Sequence, residues 1–145
     1  PTVYYGDEAG VCGFTDPDNR RTYPWGHEDK ELIDFHKAAI KMHKENEVLR
    51  TGSYKQLYSA HNVIAYGRFT SDDAVIVVVN NGEDEIRVNI PAWETGLAMD
   101  DDVEQIMVTF EGGYSTDRQG YRLKDGILNI GLRKTSATVL RRLRW

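Results

Sequence analysis

The chain has 145 residues, 40% of them hydrophobic, 28% charged and 10% aromatic. That is enough for a domain whose core needs no disulfide or metal staple, and the composition is neither disordered nor fibrous. The net charge of −5, with acidic and basic residues interspersed, argues against nucleic acid as the main partner. Apolar runs fall short of the roughly 18 residues of a membrane span. A single cysteine, Cys12, leaves no internal disulfide and no multi-thiolate metal site, and is compatible with a cytoplasmic location.

The first residues, Thr2-Val3-Tyr4-Tyr5, are β-branched and aromatic and run into Gly6, which predicts a strand. A chain that opens inside a buried-looking strand is expected to be a piece of a longer protein. Residues 6–27 show neither helical nor alternating period and are punctuated by glycine and proline. A loop this long, carrying aromatics and charges, is expected to be functional. From Glu28 to Leu49 the period becomes helical: Leu32, Phe35, Ala39, Ile40 and His43 form a stripe that Ile33 and Ala38 widen. Asp29 is the expected N-cap and Gly52 the expected stop.

From Ser53 onward the period is two. Strands are predicted over Ser53–Ser59, Val63–Thr70, Ala74–Asn80, Glu85–Ile90, Val103–Phe110, Gly126–Ile130 and Ser136–Arg142. Asn81-Gly82 between two β-rich runs predicts a tight hairpin turn with Gly82 at positive φ. Ile86, Val88 and Ile90 alternate with Arg87 and Asn89, giving a buried and a wet face. Short strands at regular spacing with no helix between them predict an antiparallel β-sandwich. The expected organisation is therefore mainly β: residues 1–51 as the last strand, loop and helix of a truncated (β/α) barrel, and residues 52–145 as the sandwich.

The loop's carboxylates, Asp7, Glu8, Asp16 and Asp18, invite a test for glycoside chemistry, which needs two carboxylates across one bond. Asp7 and Glu8 are adjacent and tend to point apart, so hydrogen bonding to backbone amides accounts for them better. In Asp16-Pro17-Asp18-Asn19-Arg20-Arg21, Pro17 stiffens a turn that Asp16 can cap. Arg20 offers a planar donor fork of permanent charge. Asp16 and Arg20 together either grip neighbouring sugar hydroxyls or pair with each other to hold the loop. The spacing is not that of a calcium loop. His27, His36, His43 and His61 form no metal-ligand pattern, Cys12 has no nearby base, and no metal or cofactor is expected.

The ordered set Pro1-Thr2-Val3-Tyr4-Tyr5-Gly6-Asp7-Glu8-Ala9-Gly10, Asp16-Pro17-Asp18-Asn19-Arg20-Arg21 and Tyr23-Pro24-Trp25 resembles the α-amylase family, glycoside hydrolase family 13. Within it the set is similar to the cyclomaltodextrinase, neopullulanase and maltogenic amylase branch. The resemblance implies that Val3–Glu8 corresponds to the eighth barrel strand and its exit, Glu28–Leu49 to the eighth barrel helix, and the β-rich remainder to the C-terminal sandwich called domain C. It implies a retaining hydrolase of α-glucosidic bonds, whose nucleophile, acid and third carboxylate belong to barrel strands four, five and seven, upstream of Pro1. No catalytic residue is therefore assigned in this chain. The resemblance also implies that Asp16 and Arg20 contact an α-glucan oligosaccharide in the intact enzyme. The fragment, with its apolar helix stripe uncovered, is expected to self-associate. A competing reading is a carbohydrate-binding or protein-interaction β-sandwich module using Trp93, Tyr114 and Tyr121.

Overall fold

The computed structural model describes residues 2–143. The chain divides into two compact units, Pro1–Met42 and His43–Trp145.

The first unit is a long loop followed by most of helix α1, Lys30–Glu45. The loop carries two 3₁₀ turns, Asp7–Ala9 and Asp18–Arg20. Asp29 is the N-cap, as its position predicts: its Oδ1 accepts the Leu32 amide at 2.9 Å and its carbonyl accepts the Ile33 amide at 3.0 Å. Helix α1 is amphipathic, yet none of its residues is buried, and Ile40 is 44% exposed. The strand expected over Thr2–Tyr5 is not formed. Residues 2–4 are irregular and Tyr5 begins a turn, because a strand exists only beside a partner strand and none pairs with this segment among the described residues.

The helix predicted to run on to Leu49 stops at Glu45. Asn46 leaves the helical region, with φ −111° and ψ 96°, and a second short helix, α2, covers Glu47–Thr51. The Arg50 guanidinium donates to the Lys44 carbonyl and so satisfies an orphan acceptor of α1's last turn. The Gly52 amide closes α2 on the Val48 carbonyl at 3.0 Å, and Arg68 donates twice to the Gly52 carbonyl, at 3.1 and 2.7 Å. These bonds tie α2 to the second strand of the β-unit.

That unit is an antiparallel sandwich. Its strands are β1 (Ser53–Ala60), β2 (Val63–Phe69), β3 (Ala74–Asn80), β4 (Ile86–Pro91), β5 (Asp102–Phe110), β6 (Gly113–Ser115), β7 (Gln119–Arg122), β8 (Ile127–Leu132) and β9 (Ser136–Arg142). One sheet has the order β1-β2-β3-β9-β5-β6, with β7 also pairing β5; β4 and β8 form the other. Central β3 is aliphatic from Ala74 to Val79 and buried on both faces, as a strand with two neighbours and two covered sides must be. Ile76 and Val78 of β3 and Leu140 of β9 point into the sandwich, where they meet Val88 and Ile90 of β4 and Leu128, Ile130 and Leu132 of β8. The wet face of the small sheet carries a ladder: Arg87 donates to Asn129 Oδ1 at 2.6 Å, and Asn129 donates to Asn89 Oδ1 at 2.6 Å.

The hairpin expected at Asn81-Gly82 is absent. Both edges of β3 are occupied, by β2 and β9, and β4 pairs with β8, so residues 81–85 carry the chain from one sheet to the other. Gly82 has no positive φ. The Asn80 side chain organises this crossing: its Oδ1 accepts the Gly82 amide, and its Nδ2 donates to the Asp84 and Arg133 carbonyls, all at 2.9 Å. Ile86, expected to be buried, is 37% exposed at the open start of β4.

Candidate functional site

The loop of the first unit is held by its own polar side chains. Asp7 Oδ2 accepts the Tyr4 amide at 3.0 Å, which engages that carboxylate in shaping the turn rather than in acid–base work. Farther on, Gly13 lets the loop fold back on itself: a Cβ there would fall 2.7 Å from the Asn19 Cα. This close approach brings the Phe14 amide onto Asp18 Oδ2 at 2.9 Å. The carboxylate that caps the backbone is thus Asp18, not Asp16.

Two acid–guanidinium pairs follow from the same turn, and they differ. Arg21 grips Asp18 with both Nε and Nη2, at 2.8 and 3.0 Å. This fork holds the Asp18 carboxyl below its ordinary pKa, with the Phe14 amide contributing next. Arg20 bonds Asp16 through Nε alone, at 3.2 Å, and both side chains are largely exposed. The terminal Arg20 nitrogens lie outside that bond. The pair therefore presents donors and acceptor oxygens together, the combination that recognises vicinal hydroxyls.

Aromatic surface flanks these pairs along the sequence. Phe14 is 83% and Trp25 79% exposed, and the Tyr23 and Trp25 rings lie 4.6 Å apart. Desolvation, then the Glu8 and Glu28 charges, raise the Tyr23 pKa. Cys12 is exposed, and its Sγ contacts the Gly10 carbonyl. Among the described residues no group of His, Cys, Asp and Glu side chains could hold a metal ion. No helix there is long and apolar enough to cross a membrane. In the β-unit, Trp93, Tyr114 and Tyr121 occupy three different elements, the Ala92–Thr95 turn, β6 and β7.

The bidentate Asp18–Arg21 lock was not evident from sequence, although an acid three residues before an arginine in a tight turn is a usable signal.

No protein-family model matches the chain. It is 45% identical to an amylopullulanase of Thermoanaerobacter thermohydrosulfuricus over 57% of its length, but spans only 6% of that protein. To a cyclomaltodextrinase of Thermoanaerobacter pseudethanolicus it is 42% identical over 56% of its length, and it spans 14% of that enzyme. In structure it superposes on an Anoxybacillus α-amylase with a TM-score of 0.79 and 25% identity, covering 98% of this chain and 28% of that one. In sequence and in fold the chain is thus related to the α-amylase family, glycoside hydrolase family 13, and resembles its amylopullulanase and cyclomaltodextrinase members.

Proposed function

We propose that the chain is the C-terminal part of a retaining α-glucan hydrolase of the cyclomaltodextrin, maltooligosaccharide and pullulan class. The names of its relatives support that substrate class, and the order of loop, helix and sandwich supports the position in the parent. In this reading the two catalytic carboxylates, which a retaining enzyme holds roughly 5 Å apart, belong to the upstream barrel, and the 145-residue chain alone is inactive. The exposed Cys12 suits a cytoplasmic location, where thiols stay reduced.

The loop's part is to hold sugar. The observation that carries this is the contrast between the two arginines: Arg21 commits Nε and Nη2 to a two-point lock on Asp18, while Arg20 keeps both terminal nitrogens outside its single bond to Asp16. In the parent enzyme, Asp16→Ala and Arg20→Ala lower kcat/KM on long oligosaccharides more than on short ones, because remote sugar contacts are lost. Equal losses on both substrates, or a collapse of thermal stability, would instead show a pair that only holds the loop.

The isolated chain self-associates through α1. Of its stripe, Ile40 is 44% exposed and Leu32, Phe35 and Ala39 are only partly covered, and apolar surface of that kind is unfavourable in water.

A further inference from the structure

The core-facing side of the large sheet changes character toward one end. Around Leu140, Ile76 and Val103 it is aliphatic and buried. Farther along β9 and β5, the residues on the same face are Ser136, Thr138 and Gln105, each less than a tenth exposed. Among the described residues β4 is the one strand that pairs with β8, so apart from a bridge between Ile127 and Lys124 the other edge of β8 is open. The result is a cleft of about 470 Å³ between β5, β6, β7, β9 and the β8 edge at Gly131. That is within the size range of small-ligand sites.

Hydrogen bonds make its walls firm. Gln105 donates to the Asp117 carbonyl at 3.1 Å, bridging the gap where the partner of β5 changes from β6 to β7. Ser136 donates to the Arg133 carbonyl at 2.7 Å, which Asn80 also holds. The Arg133 guanidinium lies 5.5 Å from the centre of the Phe110 ring. None of these bonds involves the side chains of Thr138, Gln119 or Tyr121, three further residues that line the cleft.

We propose that this cleft is a second carbohydrate-binding site, separate from the Asp16–Arg20 loop, which takes a neutral α-glucan oligosaccharide. Its ionisable lining is balanced, with Asp117 against Arg133, which disfavours an anion or a cation. A lining that combines hydroxyl- and amide-bearing residues with the aromatic Phe110 and Tyr121 matches a sugar, which has polar edges and an apolar ring face. The choice of an α-glucan rests on the function proposed above; the existence of a polyol site does not.

The test is a titration of the 145-residue chain with maltotriose, followed by backbone amide shifts. Saturable shifts are expected in residues 105–110, 115–121 and 131–138. Gln119→Ala, at an exposed position, and the isosteric Thr138→Val each weaken binding roughly three- to tenfold, the worth of one hydrogen bond. Their thermal midpoints establish that they fold, and Asp16→Ala, Arg20→Ala leaves the shifts in place. Three results would overturn the proposal. One is no shift in the cleft at high millimolar sugar. Another is shifts confined to residues 14–25 and abolished by Arg20→Ala, which would leave the proposed function intact. The third is an extended peptide that shifts the Gly131 edge while maltotriose does not, the mark of a strand-addition groove.

Discussion

Gly67, on the core side of β2, lies so close to the Thr95 methyl group that a methyl added at Gly67 would collide with it. Thr95 is 1% exposed, and its hydroxyl donates to the Ala92 carbonyl at 2.7 Å, so the turn it belongs to is fixed against the strand. Gly67 does not sit at positive φ. Its smallness matters here through packing alone.

Gly67→Ala is therefore expected to destabilise the sandwich by about 1–3 kcal/mol, the usual cost of overpacking. Adding Thr95→Ser, which removes the methyl and keeps the hydroxyl, is expected to recover part of that loss. Urea midpoints of the wild type and the two variants measure both effects. An unchanged midpoint for Gly67→Ala would contradict the packing described.

The Asp18–Arg21 fork makes the loop sensitive to acid. The folded-state pKa of Asp18 is depressed below its ordinary value of 3.8, first by the hydrogen bond from Arg21 and then by the Phe14 amide. The fork's contribution is thus present above the unfolded pKa and is lost as pH falls through the lower folded value. Protection of the Phe14 amide is expected to persist at pH 4 and to fall away only in stronger acid. In Asp18→Asn the protection is weak at every pH. An Asp18 carboxyl that titrates at or above 3.8 would contradict the fork.

Self-association through α1 has an equally direct check. Sedimentation of the isolated chain is expected to show mass rising with concentration over the micromolar range. Leu32→Glu, Ile40→Glu is expected to return it to monomer with its helical content retained. A wild-type chain that stays monomeric, or a variant whose mass is unchanged, would contradict the proposal.

Much of the fold was legible because period and caps are local. Asp29 caps the helix as its position implies, strands such as Val63–Phe69 and Ser136–Arg142 carry β-branched residues, and Ala74–Asn80 is a continuous aliphatic run. The misses lie where pairing is non-local. Asn81-Gly82 has hairpin chemistry, but the sheet had already given both edges of β3 to other strands, and the Asn80 side chain turned the segment into a crossing. Thr2–Tyr5 has strand composition without a strand beside it. Short β6 and β7, each held by a few pairs with β5, have too little sequence for a period to show.

The candidate site was legible to a lesser degree. Asp16 and Arg20 were singled out by residue type, and they do pair. Which carboxylate would cap the turn was not readable, because Asp16 and Asp18 are chemically equal, and only the fold-back at Gly13 selects Asp18. The cleft of the β-unit left one faint trace, the polar Ser136, Thr138 and Gln105 at positions in phase with the buried Leu140 and Val103. Its meaning depends on where the small sheet ends, which no local pattern reports.

The proposed function places the catalytic carboxylates of the intact protein upstream of residue 1. The most direct measurement is reducing-sugar release from cyclodextrin and pullulan by two purified proteins, the 145-residue chain and the product of its complete open reading frame. The account predicts release by the complete product and none above the buffer blank by the 145-residue chain. Release by the 145-residue chain that survives repurification, or a complete product that leaves these glucans intact, would contradict it.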